Sequence, residues 1–244
     1  MTLITDYDEF IELQRSYPRS FSNDYYLPGV VRKLIEHRLL RYSADERALF
    51  LFEKREGFTK LVFRLRDDTP RLAPCDEPLA AYLLYRKGNP PETAAAWLRG
   101  QGFRFASTSA HYKAEKITGT PTPDGVESAT ADETYAMLGD YFSAAEVDLP
   151  SRELFESALC IRSGDGMPVG ILYSGQTLAV AVTPEMRGRG LGRSLYLAYA
   201  AKKLAENKNA MFYEWIRQDN ASSIAMFTKL GFSPDGAMTD LYER

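Results

Sequence analysis

The sequence predicts an α+β protein: a mixed, largely antiparallel sheet flanked by helices. Three observations predict it. "ALCIRSG" (158–164), "PVGILYSG" (168–175) and "TLAVAVT" (177–183) are short apolar runs joined by the turn signals "GDGM" and "SGQ", the pattern of three successive strands. A glycine-rich turn follows, and then "LGRSLYLAYAAKKLAENK" (191–208), which is apolar on two flanks and reads as a helix buried against a sheet. Strand, helix and strand then alternate once more to the end of the chain.

The elements follow in order. Helices are expected near 7–16 and 29–41, and strands near 47–54 ("RALFLFEK"), 58–65 ("FTKLVFRL") and 79–85 ("LAAYLLY"). "NPPETAAAWLRGQGF" (89–103) reads as a helix opened by Pro90 and Pro91 and ended at Gly100 or Gly102. "ADETYAMLGDYF" (131–142) is a further helix, with Tyr135, Leu138 and Phe142 near one stripe. In the helix over 191–208, Leu191, Leu195 and Ala198 line one flank, and Leu197, Ala201 and Leu204 the other. "AMFYEWI" (210–216) is a strand, and "NASSIAMFTKLGF" (220–232) is a helix with Asn220 near its start and Gly231 as its C-terminal cap. "AMTDLYE" (237–243) closes the sheet.

The polar stretch "ITGTPTPDG" marks the best linker, so the expected organisation is a helix/strand module over 1–117, a linker over 118–125 and a second module over 126–244. The helices over 89–103 and 220–232 both follow a strand, begin at Asn and finish on Gly-Phe. That likeness suits two modules in tandem; it also suits chance, because alanine-rich helices ended by glycine are common.

Composition excludes several classes. With 244 residues, 45% hydrophobic and 26% charged, the chain is an ordinary globular one. A net charge of −3 argues against a general nucleic-acid binder. No apolar run approaches the roughly 18 residues of a membrane span, and "MTLITDYDEF" has no targeting character. Two isolated cysteines, Cys75 and Cys160, suit a reduced cytoplasmic protein. With His37 and His111 as the two histidines, there is no metal-ligand spacing, and no metal is expected.

The chemistry concentrates at "TPEMRGRGLGRSL" (183–195). The first turn of a helix offers backbone N–H groups without internal partners, and the helix dipole adds partial positive charge. Glycines let a phosphate approach the backbone closely. The P-loop pattern is absent, and the dinucleotide fingerprint lacks its third glycine.

The segment resembles the acyl-CoA-binding motif of the GNAT superfamily of N-acyltransferases, Arg/Gln-x-x-Gly-x-Gly/Ala, matched by Arg187, Gly190 and Gly192. The resemblance runs on through "RQDNASSIAMFTKLGF" and covers about residues 126–240; "FYEWIRQDNASSIAMFTKLGF" looks closest to the glycine N-acyltransferase-like branch. It implies a GNAT-like fold and an acyl-CoA co-substrate, acetyl-CoA foremost, with an amine attacking the thioester directly. The acceptor is a small-molecule amine; neither nucleic acid nor membrane is a partner. Backbone N–H groups of Gly188, Arg189, Gly190, Leu191, Gly192 and Arg193 would hold the pyrophosphate, with Arg187, Arg189 and Arg193 adding charge. The strand "LAVAV" would pair with the pantetheine arm and present the Val182 N–H to the thioester oxygen. Asn220 would bond the pantetheine region; a plain helix N-cap accounts for it equally.

A protonated amine must lose a proton before it attacks. Glu214 shares a strand face with Phe212 and Ile216, and a carboxyl on an apolar face has a raised pKa that suits a base. Glu185, beside the loop, is the other candidate, and a rim glutamate is the plain reading of Glu214. For the leaving thiolate the family often uses a tyrosine on the last helix, where this chain has Phe227. Either the thiolate leaves unassisted, as a thiol of pKa about 8.5 can, or another tyrosine serves, with Tyr213 and Tyr173, on strands, as the candidates. The first half has no such loop: "RDDTPRLAPCDEP" (66–78) holds no glycine, so this half is expected to bind no CoA. Between Asp124 and Glu156 nine acidic residues face one basic residue, Arg152. That run reads as a wall drawing in a cationic amine or as a solvated face. A catalytically weak CoA-binding sensor is the competing function, motivated by Phe227.

Overall fold

The computed structural model describes residues 1–18, 22–23, 26–119, 125–175 and 178–244. Two compact units divide them, one of residues 1–108 with 237–244, the other of residues 109–236.

The first unit builds its sheet in the order β1 (Thr2–Leu3), β2 (Leu40–Ala44), β3 (Ala48–Lys54), β4 (Thr59–Leu65), β5 (Leu79–Arg86) and the end of β12 (Ser233–Glu243). The pairings are antiparallel except β4 with β5, which run parallel from Thr59 opposite Leu79. Helices α1 (Tyr7–Arg15) and α2 (Pro28–Glu36) bury Phe10, Val31 and Leu34. Helix α3 (Glu92–Gly100) lays Ala94, Ala95, Trp97 and Leu98 on Phe50, Phe52, Phe63 and Leu83. The expected helix over 29–41 is corrected. It ends at Glu36, Arg38 takes a left-handed turn (φ 57), and the chain leaves as β2. The connection over 66–78 is held against α3: Trp97 Nε1 donates to Pro70 O (2.9 Å), and Leu72 N–H donates to Gln101 Oε1 (2.9 Å).

The second unit holds a sheet in the order β10 (Leu178–Val182), β9 (Pro168–Ser174), β8 (Ala158–Arg162), β7 (Val126–Ala129), antiparallel throughout. Helix α4 (Ala131–Gly139) and the loop after it bury Tyr135, Leu138, Val147 and Leu149 against Cys160, Ile171, Tyr173 and Ala181. A capping box, Thr130 with Glu133, starts α4. The helix is shorter than expected, and Phe142 lies in the loop, half-buried. Helix α5 (Leu191–Glu206) links β10 to β11 (Phe212–Arg217), and α6 (Ala221–Lys229) follows. In α5 the buried residues are Leu195, Tyr196, Leu197 and Ala200; Leu204 is exposed, so the two-flank expectation holds only in part. Strand β11 pairs with the second half of β6 (Arg104–Ala114), Trp215 opposite His111.

The element order repeats. The first half runs β1, α1, α2, three antiparallel strands, β5, α3, β6; the second runs β7, α4, a helical turn at Arg152–Leu154, three antiparallel strands, α5, β11, α6, β12. Among the described residues, α5 and the helical turn at Pro184–Met186 before it have no counterpart in the first half. The ends of α3 and α6 match in detail. Phe103 N–H reaches Leu98 O and Phe232 N–H reaches Phe227 O, with Gly102 (φ 88) and Gly231 (φ 98) left-handed between. Both are Schellman closures, which need glycine at that step. The last strands are exchanged: β6 from the first half pairs with β11 in the second unit, and β12 pairs with β5 in the first. The division therefore falls inside β6 and β12, and the stretch 118–125 lies within the second unit, with residues 120–124 outside the described ones.

Candidate active site

Strand β10 ends its sheet, so one of its edges has no strand partner among the described residues. Which groups face that edge follows from the register. Thr183 N–H bonds Val169 O, and Val182 stands opposite Gly170. Hydrogen-bonded and open pairs alternate in an antiparallel ladder, so the N–H groups of Val182 and Val180 point to the open edge. Strand β11 likewise ends its own sheet.

Past Val182 the chain makes a turn at Pro184–Met186 and enters α5 through Gly188 (φ 75) and Gly190 (φ 82). A Cβ at either glycine would stand in open space, so the left-handed backbone, and not crowding, requires glycine there. Gly190 caps α5 without a side-chain hydrogen bond, and the first intrahelical bond runs from Ser194 N–H to Gly190 O. The N–H groups of Leu191, Gly192 and Arg193 thus precede the ladder and face outward at the dipole's positive end. Gly192 lies within the first turn of the helix, where a Cβ would stand in ordinary van der Waals contact with Met226 and Val180 at 3.4 Å. The start of α5, the edge of β10 and α6 meet at this point.

The three arginines divide. Arg187 Nε donates to Val182 O (3.1 Å), and its guanidinium lies 5.1 Å over the Tyr141 ring. It braces the turn. Arg193 lies against Gly119, where any side chain would collide with its Nη2. Arg189 is exposed on the turn. Glu185 is exposed as well.

On β11, Phe212, Glu214 and Ile216 share the buried face. Glu214 is 4% exposed and accepts a hydrogen bond from the Tyr196 hydroxyl of α5 (2.8 Å). Burial pushes its carboxyl up to about 8, partly offset by the Tyr196 hydroxyl. Burial first and the Glu214 charge second raise Tyr196. Burial and the same charge push Tyr199 up to about 12. The Tyr196 ring is packed edge-on against Phe227 (5.0 Å) and Phe232 (5.6 Å). In the sequence Tyr196 reads as one more buried aromatic; its spacing gives no sign of a carboxyl partner on the strand that follows, β11.

Other expected residues fall elsewhere. Tyr213 lies on the opposite face of β11, half-exposed, stacked on His111 (5.4 Å), with its hydroxyl on Met211 Sδ. It is not beside Glu214. Tyr173 is a core residue stacked on Phe155. Asn220 caps α6: its Oδ1 accepts from Ser223 N–H (3.0 Å) and the Ser222 hydroxyl (2.9 Å). His111 has its Nδ1 2.9 Å from Asp235 Oδ2.

The acidic run separates into two parts. Glu127, Glu133 and Asp132 pair with Arg162 and Arg152, and Asp132 and Glu127 are largely solvated. Glu146 instead pairs with Arg217 at the end of β11, and Asp148 behind it is buried in a left-handed turn (φ 44). The loop from Tyr141 to Asp148 is therefore pinned to the end of β10 through Arg187 and to the end of β11 through Arg217.

Comparison with known proteins identifies the fold. The chain has a GNAT-like fold. The solved GCN5-related N-acetyltransferase of Kribbella flavida superposes with a TM-score of 0.53 at 19% identity, over 88% of this chain and 92% of that one. A Drosophila protein of known structure gives 0.62 at 15% identity, over 96% and 95%. Residues 170–239, the stretch holding the glycine turn, match the model of the family described as FR47-like protein. A mycothiol acetyltransferase of Tsukamurella paurometabola is 42% identical over 59 residues, 24% of this chain; the match spans 20% of that relative's length. Among the described residues no helix is long and apolar enough to cross a membrane.

Proposed function

We propose that the protein is an acyl-CoA-dependent N-acyltransferase, in the first place an N-acetyltransferase, moving the acyl group to the amine of a small molecule. One observation carries this reading: an outward Val182 N–H on an open strand edge, continuous with an uncapped helix N-terminus whose glycines leave room for phosphate. The residues fit acyl-CoA. The N–H groups from Gly188 to Arg193 would hold the pyrophosphate, with Arg189 and Arg193 adding charge and Arg187 fixing the turn. The Val182 N–H faces the oxygen that gains charge as the amine attacks, a contribution of about 3 kcal/mol for one such donor. Glu214, poised near 8, takes the amine's proton. The Nδ2 of Asn220 remains the donor for the pantetheine arm.

The loop carrying Glu146 and Asp148 supplies the acceptor side, favouring a cationic amine. The repeated element order and the paired Schellman closures support a tandem of GNAT-like modules, the first without a phosphate platform because its 66–78 connection is packed on α3. The wording of residues 212–232 supports the glycine N-acyltransferase-like branch, and the match to a mycothiol acetyltransferase supports an acetyl donor. A cytoplasmic setting belongs to the same reading, with Cys75 and Cys160 both free.

Calorimetric titration with acetyl-CoA, followed by thiol release with a panel of amines, tests the proposal. One CoA per chain and turnover with at least one amine are expected. CoA binding with no turnover would favour the sensor reading, which Phe227 motivates; no binding would overturn both.

A further inference from the structure

We propose that the first half is closed to acyl-CoA by its own chain: Asn23 fills, on the edge of β4, the place that the pantetheine arm takes on the edge of β10. This rests on the acyl-transfer and tandem readings above. Among the described residues β4 and β5 pair only from Thr59 opposite Leu79 to Lys60 opposite Ala80. Past Lys60 the edge of β4 would stand open, and there Asn23 enters. Its Nδ2 donates to Leu61 O (3.0 Å), and its Oδ1 accepts from Phe63 N–H (2.7 Å). Its own N–H donates to Phe63 O (3.3 Å). Ser22, beside it, bridges Arg64 in the antiparallel sense.

A carboxamide suits that place because it carries donor and acceptor in one plane, as a peptide group does. It satisfies a strand edge as one unit of a missing strand would, and so does each amide of pantetheine. Phe63 stands opposite Phe50 of β3, and its N–H and C=O, bonded to Asn23, face away from that strand. The N–H groups of Val180 and Val182 face away from β9 in the same manner. What meets them differs. In the second half Arg187 and Arg217 hold the loop after α4 at the ends of β10 and β11, and the edge of β10 has no strand partner among the described residues. In the first half the connection after α1 is drawn onto β4 itself. The buried Arg64 guanidinium donates to the carbonyls of Gln14 and Tyr17, and Arg66 Nη2 donates to Ser16 O (3.2 Å). Leu61 and Phe63 are fully buried. The packed 66–78 connection removes the phosphate platform, and Asn23 separately removes the edge for the arm.

The test follows single backbone amides of the full chain by hydrogen exchange. The probe is pantetheine, which carries the amides of the arm and no phosphate. In the unaltered protein the Phe63 N–H should be protected and indifferent to pantetheine. In Asn23→Ala it should exchange about 10- to 100-fold faster, the effect of leaving one buried donor without its acceptor. Saturating pantetheine should then slow it again by about tenfold, while turnover with acetyl-CoA stays unchanged. Exchange at Phe63 that ignores pantetheine in Asn23→Ala overturns the proposal and makes Asn23 a plain edge bridge. Exchange that does not rise in Asn23→Ala overturns it as well. The reading beneath is tested at a different amide: acetyl-CoA should slow the Val182 N–H of the unaltered protein, and failure there overturns the acyl-transfer reading and the proposal with it. Should Asn23→Ala not fold, Asn23→Ser, whose hydroxyl is too short to span Leu61 and Phe63, must show the same slowing by pantetheine, and its absence overturns the proposal.

Discussion

The Arg187 guanidinium donates through Nε to the Val182 carbonyl at 3.1 Å, tying the glycine turn to the strand edge that precedes it. An arginine in this motif is thereby a brace before it is a charge. Arg187→Ala should weaken CoA binding about 10- to 100-fold by calorimetry, the range for losing one hydrogen bond from a charged donor. Arg187→Lys should recover little, because a lysine lacks the planar fork that reaches the carbonyl while stacking on Tyr141. Full affinity in the lysine variant would show that charge alone matters.

Gly190 sits at φ 82 with open space where a Cβ would be. Gly190→Ala should cost about 1–2 kcal/mol of stability without CoA, from the left-handed backbone alone. Gly190→Val should cost more, and it should abolish the rise in melting temperature that CoA produces, because its side chain fills the phosphate's place. A folded Gly190→Val protein with normal CoA affinity would move the site elsewhere.

Glu214 makes stability depend on pH in an unusual direction. Its folded pKa, about 8, lies above the ordinary 4.5, so the folded state binds the extra proton between those values. That stability is fully present below about pH 4.5 and is lost as pH rises through about 8, roughly 4–5 kcal/mol from this group. Urea unfolding at pH 5, 7 and 9 should show the decline, and Glu214→Gln should flatten it. An equal slope in Glu214→Gln would place the titrating group elsewhere.

The exchanged strands predict how the chain tolerates cutting. Residues 237–243 pair with 80–86, and Arg244 bonds Leu79 in both directions. Removing residues 237–244 exposes the edge of β5 and should unfold or aggregate the first unit. A fragment of residues 126–244 should also fail alone, since β11 loses β6. A soluble, cooperative fragment 126–244 by circular dichroism would show the exchange to be dispensable.

Acceptor binding should depend on the pair between Arg217 and Glu146. Arg217→Ala frees the loop from β11 and should raise the KM for the amine several-fold, while the affinity for CoA stays unchanged. Equal KM values would place the acceptor away from this loop.

Local structure was legible in the sequence. The glycine turn, the strand before it, the helix after it and the apolar company of Glu214 depend on neighbours within a few residues, and each stands where the pattern put it. The end of α2, the partner of Glu214 and the destinations of the arginines were not legible, because each depends on residues distant in the chain. The strand exchange is the clearest case. "AMTDLYE" reads as a strand from its own residues, but alternation says only which side chains share a face, not which edge the strand will pair with. That choice was made by the tertiary structure, where β5 offers a free edge to β12 and β11 offers one to β6, and backbone hydrogen bonds of the same kind would satisfy either arrangement.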